Sequence, residues 1–337
     1  MSTLAALVVM WTLGWLAVAR VTIRRLLLGP TLPSWTWRTE WAVAFAREVI
    51  SVAARKRDDK RLFQWGLRAS IPVPLNLLKR VDVRRVKVGT IVADRYLPTD
   101  VFVARTTILY FHGGGYAFGN PGTHRQFIAR LVHAIQTGAI APRYRLAPLY
   151  RFPAAVDDAI ESYEALIAAG IDPKSIVVAG DSAGGGLAVA LLHRIRATGA
   201  PMPAGAMLFS PYLDLEHGDY TIATNARTDY LPVSELSTPN HWYATTDELR
   251  IPEVSPIHAD LTGFPPMLVF AGGAEMLLGD SLRFAENARR DGVDLTLVVE
   301  PEMMHVWPAF VDWEPASRRC LDASRSWFDD LLGDLRR

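Results

Sequence analysis

Cysteine is almost missing from this chain: Cys320 is the single one in 337 residues. No intramolecular disulfide can form, which fits a reducing compartment, and no cysteine-built metal site can be assembled. No spaced cluster of His, Asp or Glu resembles a metal site either, so neither metal nor cofactor is expected. The glycines at 113–115 are not followed by Gly-Lys-Ser or Gly-Lys-Thr, and no acidic residue closes a second strand as a dinucleotide fold requires. Internal repeats and low-complexity segments are absent. The net charge is only +1 at pH 7, and no base-reading motif accompanies the basic residues, so no nucleic-acid partner is expected. Half of the residues are hydrophobic, enough to fill one α/β core plus a cap.

The small net charge hides an asymmetry. Residues 1–85 hold fifteen Lys/Arg against five Asp/Glu, net +10, whereas residues 86–337 hold twenty-one against thirty, net −9. The basic front lies beside Met1–Ala19, nineteen uncharged residues followed at once by Arg20, Arg24 and Arg25. That length just suffices to span a bilayer as a helix. A cleaved signal peptide wants its basic residues before the apolar stretch, not after it, although Ala17-Val18-Ala19 loosely mimics a cleavage site. Two membrane readings remain, a helix lying in the interface or an anchor with its C-terminal flank cytoplasmic. Against them stands a greasy helix packed on a cap or in a homodimer. The expected location is therefore cytoplasmic, or membrane-associated on the cytoplasmic side. Further on, Trp37, Trp41, Phe45 and Val49 recur every fourth residue and predict one apolar helical face, with Arg38, Arg47 and Arg55 largely off it.

Two stretches carry chemistry. The run Ser175-Ile176-Val177-Val178-Ala179 reads as a buried parallel strand, and Gly180-Asp181-Ser182-Ala183-Gly184-Gly185 follows it. Gly180 and Gly184 lack a Cβ, so the chain can take the strained strand-to-helix turn that leaves a serine exposed at its tip. From Gly185 to Arg196 the apolar spacing predicts a helix closed by Gly199 and Pro201, which sets Ser182 near a helix N-terminus that favours developing negative charge. The second stretch, His112-Gly113-Gly114-Gly115-Tyr116, follows the strand-like run Thr107–Phe111 and precedes a predicted helix from about Thr123 to Gln136. Three consecutive glycines do not serve packing. They bare backbone N–H groups that, with the N–H of Ala183, can bind the oxyanion of a tetrahedral intermediate. Either stretch alone is common in turns; together, on these strands, they predict acyl transfer at Ser182.

A base and an acid must then follow in the order Ser, Asp or Glu, His. Of the eight histidines, five come after Ser182. His193 falls inside the helix after the turn, His217 and His241 in a polar strand-free insertion, and His258 before a Pro-bounded loop. His305 follows the apolar run Leu295–Val299 through the loop Pro301-Glu302-Met303-Met304, a strand-end position suited to a base. The acid is sought after the preceding run, Met267–Ala271. Glu275 is the first carboxylate there and is favoured; Asp280, the alternative, is expected on the helix Asp280–Arg290. The acid's work is to hold the His305 tautomer and stabilise the imidazolium.

These residues resemble the hormone-sensitive-lipase-like (bacterial family IV) branch of the α/β-hydrolases, which includes carboxylesterases and arylacetamide deacetylase. The likeness covers about Val86 to Phe328. Its landmarks are His112-Gly113-Gly114-Gly115, Tyr144-Arg145-Leu146-Ala147-Pro148, Phe152-Pro153-Ala154-Ala155, Gly180–Gly185, Ser210-Pro211, Glu275-Met276-Leu277-Leu278 and His305-Val306-Trp307. The resemblance implies an α/β-hydrolase fold, a mostly parallel central sheet flanked by helices, with a helical cap. It implies a triad of Ser182, Glu275 and His305, with oxyanion donors at Gly114, Gly115 and Ala183 and a further one at Gly113. It divides the chain into a hydrophobic and basic segment at 1–30, a cap from 31–80 and 213–252, and a catalytic domain from 81–212 and 253–337. The implied activity is hydrolysis of short- to medium-chain carboxylic esters, small-molecule substrates, through an acyl-enzyme. Amide deacetylation and lactone hydrolysis use the same residues. Plant gibberellin receptors, ligand-binding proteins on a similar scaffold, lack the working histidine, and His305 argues against that reading. Arg143 stands where the family usually has Asp, and Leu149 and Tyr150 replace a usual Glu and a frequent His. Pro142 removes a donor from an expected inner strand, which is predicted to end early.

Overall fold

The computed structural model describes residues 3–55, 74, 77, 79–100, 106–232 and 241–336. The expected cap residues 56–73 and 233–240 lie outside the described residues. Eight strands form one sheet in the order β1-β2-β4-β3-β5-β6-β7-β8. They are β1 Val81–Val88, β2 Ile91–Pro98, β3 Thr107–Phe111, β4 Gly138–Pro142, β5 Ile176–Asp181, β6 Gly205–Phe209, β7 Met267–Gly272 and β8 Leu295–Glu300. β2 runs antiparallel to both of its neighbours, β1 and β4, and the pairs from β4 through β3, β5, β6 and β7 to β8 are parallel.

The central strands read as unbroken apolar runs because helices cover both faces of the sheet. Leu109 and Phe111 of β3, with Ile176 and Val178 of β5, join the core beneath helices α4 (Ala154–Ala168), α5 (Ala183–Thr198) and α6 (Leu278–Arg290). Ile108 and Tyr110, with Val177 and Ala179, point the other way, toward α3 (Arg125–Ile135) and α7 (Pro315–Arg336). The alternation of strand side chains thus divides one hydrophobic run between two cores. Pro142 is the last residue of β4, whose pairing with β3 stops at Ile140; on its other side the amide of Arg143 donates to the Val92 carbonyl at 2.8 Å.

The front of the chain forms two packed helices. Helix α1 runs Thr3–Leu28, so it continues past Ala19 and carries Arg20, Arg24 and Arg25 within it. It continues because Arg24 and Arg25 both pair with the buried Glu40 of helix α2 (Trp37–Arg55), at 2.9 and 2.8 Å. No helix among the described residues is long and apolar enough to cross a membrane. The stripe Trp37, Trp41, Phe45 and Val49 turns toward α1: Phe45 meets Trp11 and Trp15 edge-on, and the Trp41 indole donates to Thr22 Oγ1. The α2 side chains most deeply buried are Thr39, Glu40, Val43 and Val52 instead.

Candidate active site

The parallel strands bring Ser182, Glu275 and His305 to one end of the sheet, on the turns after β5, β7 and β8. Ser182 has φ 51° and ψ −123°, a strained backbone held from both sides. Its amide donates to the Phe209 carbonyl at 2.9 Å, and its own carbonyl accepts from Tyr212 and Gly186. The expectation for the flanking glycines holds in detail. A Cβ on Gly180 would lie 2.3 Å from the Gly184 carbonyl oxygen, and one on Gly184 would lie 2.0 Å from that of Phe111. The helix can therefore start directly against the strand.

The His305 and Glu275 loops are fastened to that turn and to each other. The Ser210 amide donates to the Phe270 carbonyl at 2.7 Å, and the Ser210 hydroxyl accepts the amide of Val306 at 3.0 Å. His305 Nδ1 lies 3.4 Å from Glu275 Oε2, with both side chains buried. His305 Nε2 has no hydrogen-bond partner among the described residues and is free to take a proton. Burial opposes the imidazolium, but Glu275, then Asp229 and Asp181, outweigh it and hold the His305 pKa above its usual 6.5. Burial raises the Glu275 carboxyl in turn, against the pull of His305.

Asp229 carries a role that sequence reasoning missed. Fully buried, it accepts the Met276 amide at 2.7 Å through one oxygen, and the amides of Tyr230 at 2.7 Å and His305 at 3.3 Å through the other. One carboxylate thus ties the acid loop to the base loop. It lies in a polar insertion with no periodic pattern, and no sequence signal marks it. Asp280, the alternative acid, sits on α6 and is occupied elsewhere: it accepts the amides of Leu213 and Asp214, each at 2.9 Å, and burial pushes its pKa up to about 7.

The glycine loop needs one correction. The Gly113 amide donates to Asp181 Oδ1 at 3.0 Å, so it is committed to structure and not available to an oxyanion. No described residue accepts a hydrogen bond from the amides of Gly114, Gly115 or Ala183. Asp181 also accepts the Tyr110 hydroxyl at 2.6 Å, and His124 Nε2 lies 3.1 Å from its other oxygen. Burial works against this carboxylate, but His124 and Tyr110 hold its pKa below the ordinary value. His112 Nδ1 donates to the Gly113 carbonyl at 2.8 Å, its ring stacks on Tyr144, and the Tyr144 hydroxyl returns to the His112 carbonyl. The Ala147 amide then donates to the Tyr116 carbonyl. The run Tyr144–Pro148 is thereby explained as a brace for the glycine loop. Arg143, the departure from the usual Asp, finds its own carboxylate: both oxygens of buried Asp94 on β2, at 3.1 Å.

The remaining histidines lie elsewhere. His193 approaches Glu253 at 3.6 Å, His217 stacks on Tyr212, and His258 lies 3.2 Å from Glu216. Asp214, Glu216 and His258 do gather ligand-type atoms within 4.8 Å. Those carboxylates are already taken by Arg283 and Arg250, which makes the cluster an ion-pair network.

A strand order with a single reversed inner strand, a serine on a strained turn after β5, an acid after β7 and a histidine after β8 define the architecture of the α/β-hydrolases. The family described as alpha/beta hydrolase fold matches residues 108–309, and the chain belongs to it. Its place is the hormone-sensitive-lipase-like esterase branch, whose members are carboxylic-ester hydrolases. An esterase of Acinetobacter venetianus is 36% identical over 288 residues, 84% of this chain and 94% of its own. An acetyl-hydrolase of Streptomyces hygroscopicus is 38% identical over 229 residues, 68% of this chain and 77% of its own. A crystal structure described as an esterase from the bacterial hormone-sensitive lipase family superposes with a TM-score of 0.77 at 32% identity, covering 86% of this chain and 97% of that one.

Proposed function

We propose that the enzyme cleaves short- to medium-chain carboxylic esters through an acyl-enzyme on Ser182. The Ser182 hydroxyl attacks the ester carbonyl as His305 Nε2 takes its proton, and Glu275 holds the imidazole and steadies its positive charge. The tetrahedral oxyanion is received by the amides of Gly114, Gly115 and Ala183. Each such donor contributes about 3 kcal/mol of transition-state stabilisation. The proton on His305 passes to the leaving alcohol, and water repeats the sequence to release the acid. The observation that carries the reading is the buried His305–Glu275 pair at 3.4 Å, on loops stitched through Ser210 to the strained turn of Ser182.

A preference for modest acyl chains is supported by the aromatic wall beyond the glycines. Tyr116 stacks on Tyr243 with ring centres 4.0 Å apart, and Phe118 lies beside Trp242. Both partners come from the 213–252 segment, which supports its assignment to a cap. The name of the Streptomyces relative points to acetyl groups as one acyl class, and a similar esterase, 30% identical with a TM-score of 0.76, was soaked with p-nitrophenyl butyrate.

The test is release of p-nitrophenol from the acetate through dodecanoate esters by wild type and Ser182→Ala, with acetanilides and lactones alongside. The expected result is a chain-length optimum at the short end and a loss of about 10⁴–10⁶ in kcat in the variant. Turnover surviving in Ser182→Ala overturns the assignment, and faster cleavage of anilides or lactones than of esters moves the substrate class.

A further inference from the structure

Helix α1 is apolar on both sides, and only one side is covered. Its inner row, Met10, Gly14 and Val18, is buried against α2. The approach is close enough that a Cβ on Gly14 would lie 2.6 Å from the Phe45 ring. Its outer row is Val8, Trp11, Trp15, Leu16, Ile23 and the trio Leu26–Leu28, each between 47 and 77% exposed. Ala19 joins that row, and only Thr12 and Arg20 interrupt it with polar groups. Trp37 and Trp41 of α2 extend the patch, each more than a third exposed. A helix that is hydrophobic all round is a buried helix, and an exposed apolar surface of this extent marks a docking site.

We infer that this face docks in the plane of a membrane surface carrying anionic headgroups. Two observations select that occupant. Trp11 and Trp15 stand exposed on the apolar face with Arg20 alongside, and tryptophans with basic residues beside them are the makeup of a helix that lies in the interface. The first 85 residues carry a net +10 and the remainder −9, so the charge concentrated at this end of the chain is complementary to anionic lipid. A second copy seated on the same face would bring two segments of +10 together. Arg20 and Arg38 are exposed on the hairpin, while Arg24 and Arg25 are held by Glu40.

The hairpin's other side grips the active-site loops. The Trp35 indole donates to the Glu302 carbonyl, the Ser34 amide to the Glu302 carboxylate at 2.7 Å, and Arg47 to the carbonyls of Asp229 and Arg227. Glu302 lies three residues before His305. The docking face is therefore seated on the catalytic domain as a fixed platform.

The test is flotation of the full-length protein with vesicles of phosphatidylcholine alone and of phosphatidylcholine mixed with phosphatidylglycerol. Wild type is compared with Trp11→Glu/Trp15→Glu and with Arg20→Glu/Arg38→Glu, and turnover of a water-soluble ester certifies that each variant is folded. The expected result is co-flotation of wild type with the mixed vesicles and a loss of about tenfold or more in partitioning for the double tryptophan variant at unchanged turnover. The arginine variant should lose the preference for anionic lipid, as should wild type at high salt. Wild type that stays with the aqueous fraction overturns the inference, as does equal flotation of the tryptophan variant. A dimer in light scattering that the tryptophan variant dissolves, with no vesicle binding by either form, assigns the face to a second copy instead. None of these readings depends on which residue is the nucleophile.

Discussion

The carboxylate of Asp181 accepts the amide of Gly113 at 3.0 Å. Asp181 precedes Ser182 directly, and Gly113 precedes the two glycines whose amides stay unpaired. One side chain therefore sets the distance between the turn of Ser182 and the glycine loop. Asp181→Asn keeps the volume but loses the charge that faces His124, Tyr110 and Gly113. The expected outcome is a fall of about 10–100-fold in kcat with KM nearly constant, because the loop's donors matter most once the oxyanion has formed. Stability should fall by roughly 1–3 kcal/mol, the cost of disturbing a buried hydrogen-bonded group. Steady-state kinetics beside a urea titration separate the two effects; equal losses in 1/KM and kcat would reduce Asp181 to a structural role.

The pH profile follows from His305. The proposed mechanism requires its neutral form, and burial, which opposes the imidazolium, is outweighed by Glu275, then Asp229 and Asp181, so that its pKa is held above 6.5. Activity should therefore disappear as pH falls through a midpoint on the alkaline side of an ordinary imidazole. Glu275→Gln removes the largest raising influence, so the midpoint should move to lower pH while kcat falls by about 10²–10⁴. Asp229→Asn should also lower the midpoint, at a smaller cost in kcat. kcat/KM measured from about pH 5 to 9 reads all three, and a midpoint that Glu275→Gln leaves in place counts against the pairing.

Two histidines near the glycine loop, His112 buried and His124 half-buried, bear on the pH dependence of stability with opposite signs. His112 is depressed to about 3, first by burial and then by His124. Its contribution is complete above the unfolded value near 6.5 and is lost as pH falls toward 3. His124 is raised, with Asp181 outweighing burial, so its contribution is complete below about 6.5 and is lost as pH rises through its folded value. Replacing His112 by Gln should flatten the acid side of the stability curve, and replacing His124 by Gln should remove a decline on its alkaline side, above about pH 6.5. Thermal midpoints across pH 4–8, about the range where both terms act, provide the measurement.

The start of α5 tolerates no added carbon. Gly184→Ala drives a Cβ into the Phe111 carbonyl at 2.0 Å, and backbone on both sides must move. The expected cost is on the order of 3–5 kcal/mol or failure to fold. Gly199→Ala, at the other end of the same helix, meets nothing within 4 Å and adds only the strain of φ +70°, about 1 kcal/mol. Denaturation midpoints of the two alanine variants should differ accordingly.

Much of this site is legible in the sequence. The strands β3, β5, β7 and β8 are apolar runs because both of their faces are covered, and a parallel sheet then delivers the turns after them to one edge. That suffices to bring the loops of Ser182, Glu275 and His305 to the same edge of the sheet. Pairings between distant parts of the chain left no such trace. Asp229 joins Met276 and His305 from across an aperiodic insertion, and Gly113 spends its amide on a residue sixty-eight positions away. Helix α1 passes through Arg24 and Arg25 only because Glu40 waits on the next helix. Periodicity records which face of an element is apolar, not which partner neutralises a charge on it.

The double grip of Asp229 also bears on how the enzyme comes apart. Because the Met276 and His305 amides are both held by the Asp229 carboxylate, a movement of that side chain releases the Glu275 and His305 loops together. Amide exchange at these two positions should therefore report a single opening event with one free energy, and that event should be the slowest local fluctuation to expose the site. Asp229→Asn should uncouple them, leaving two loops that breathe separately.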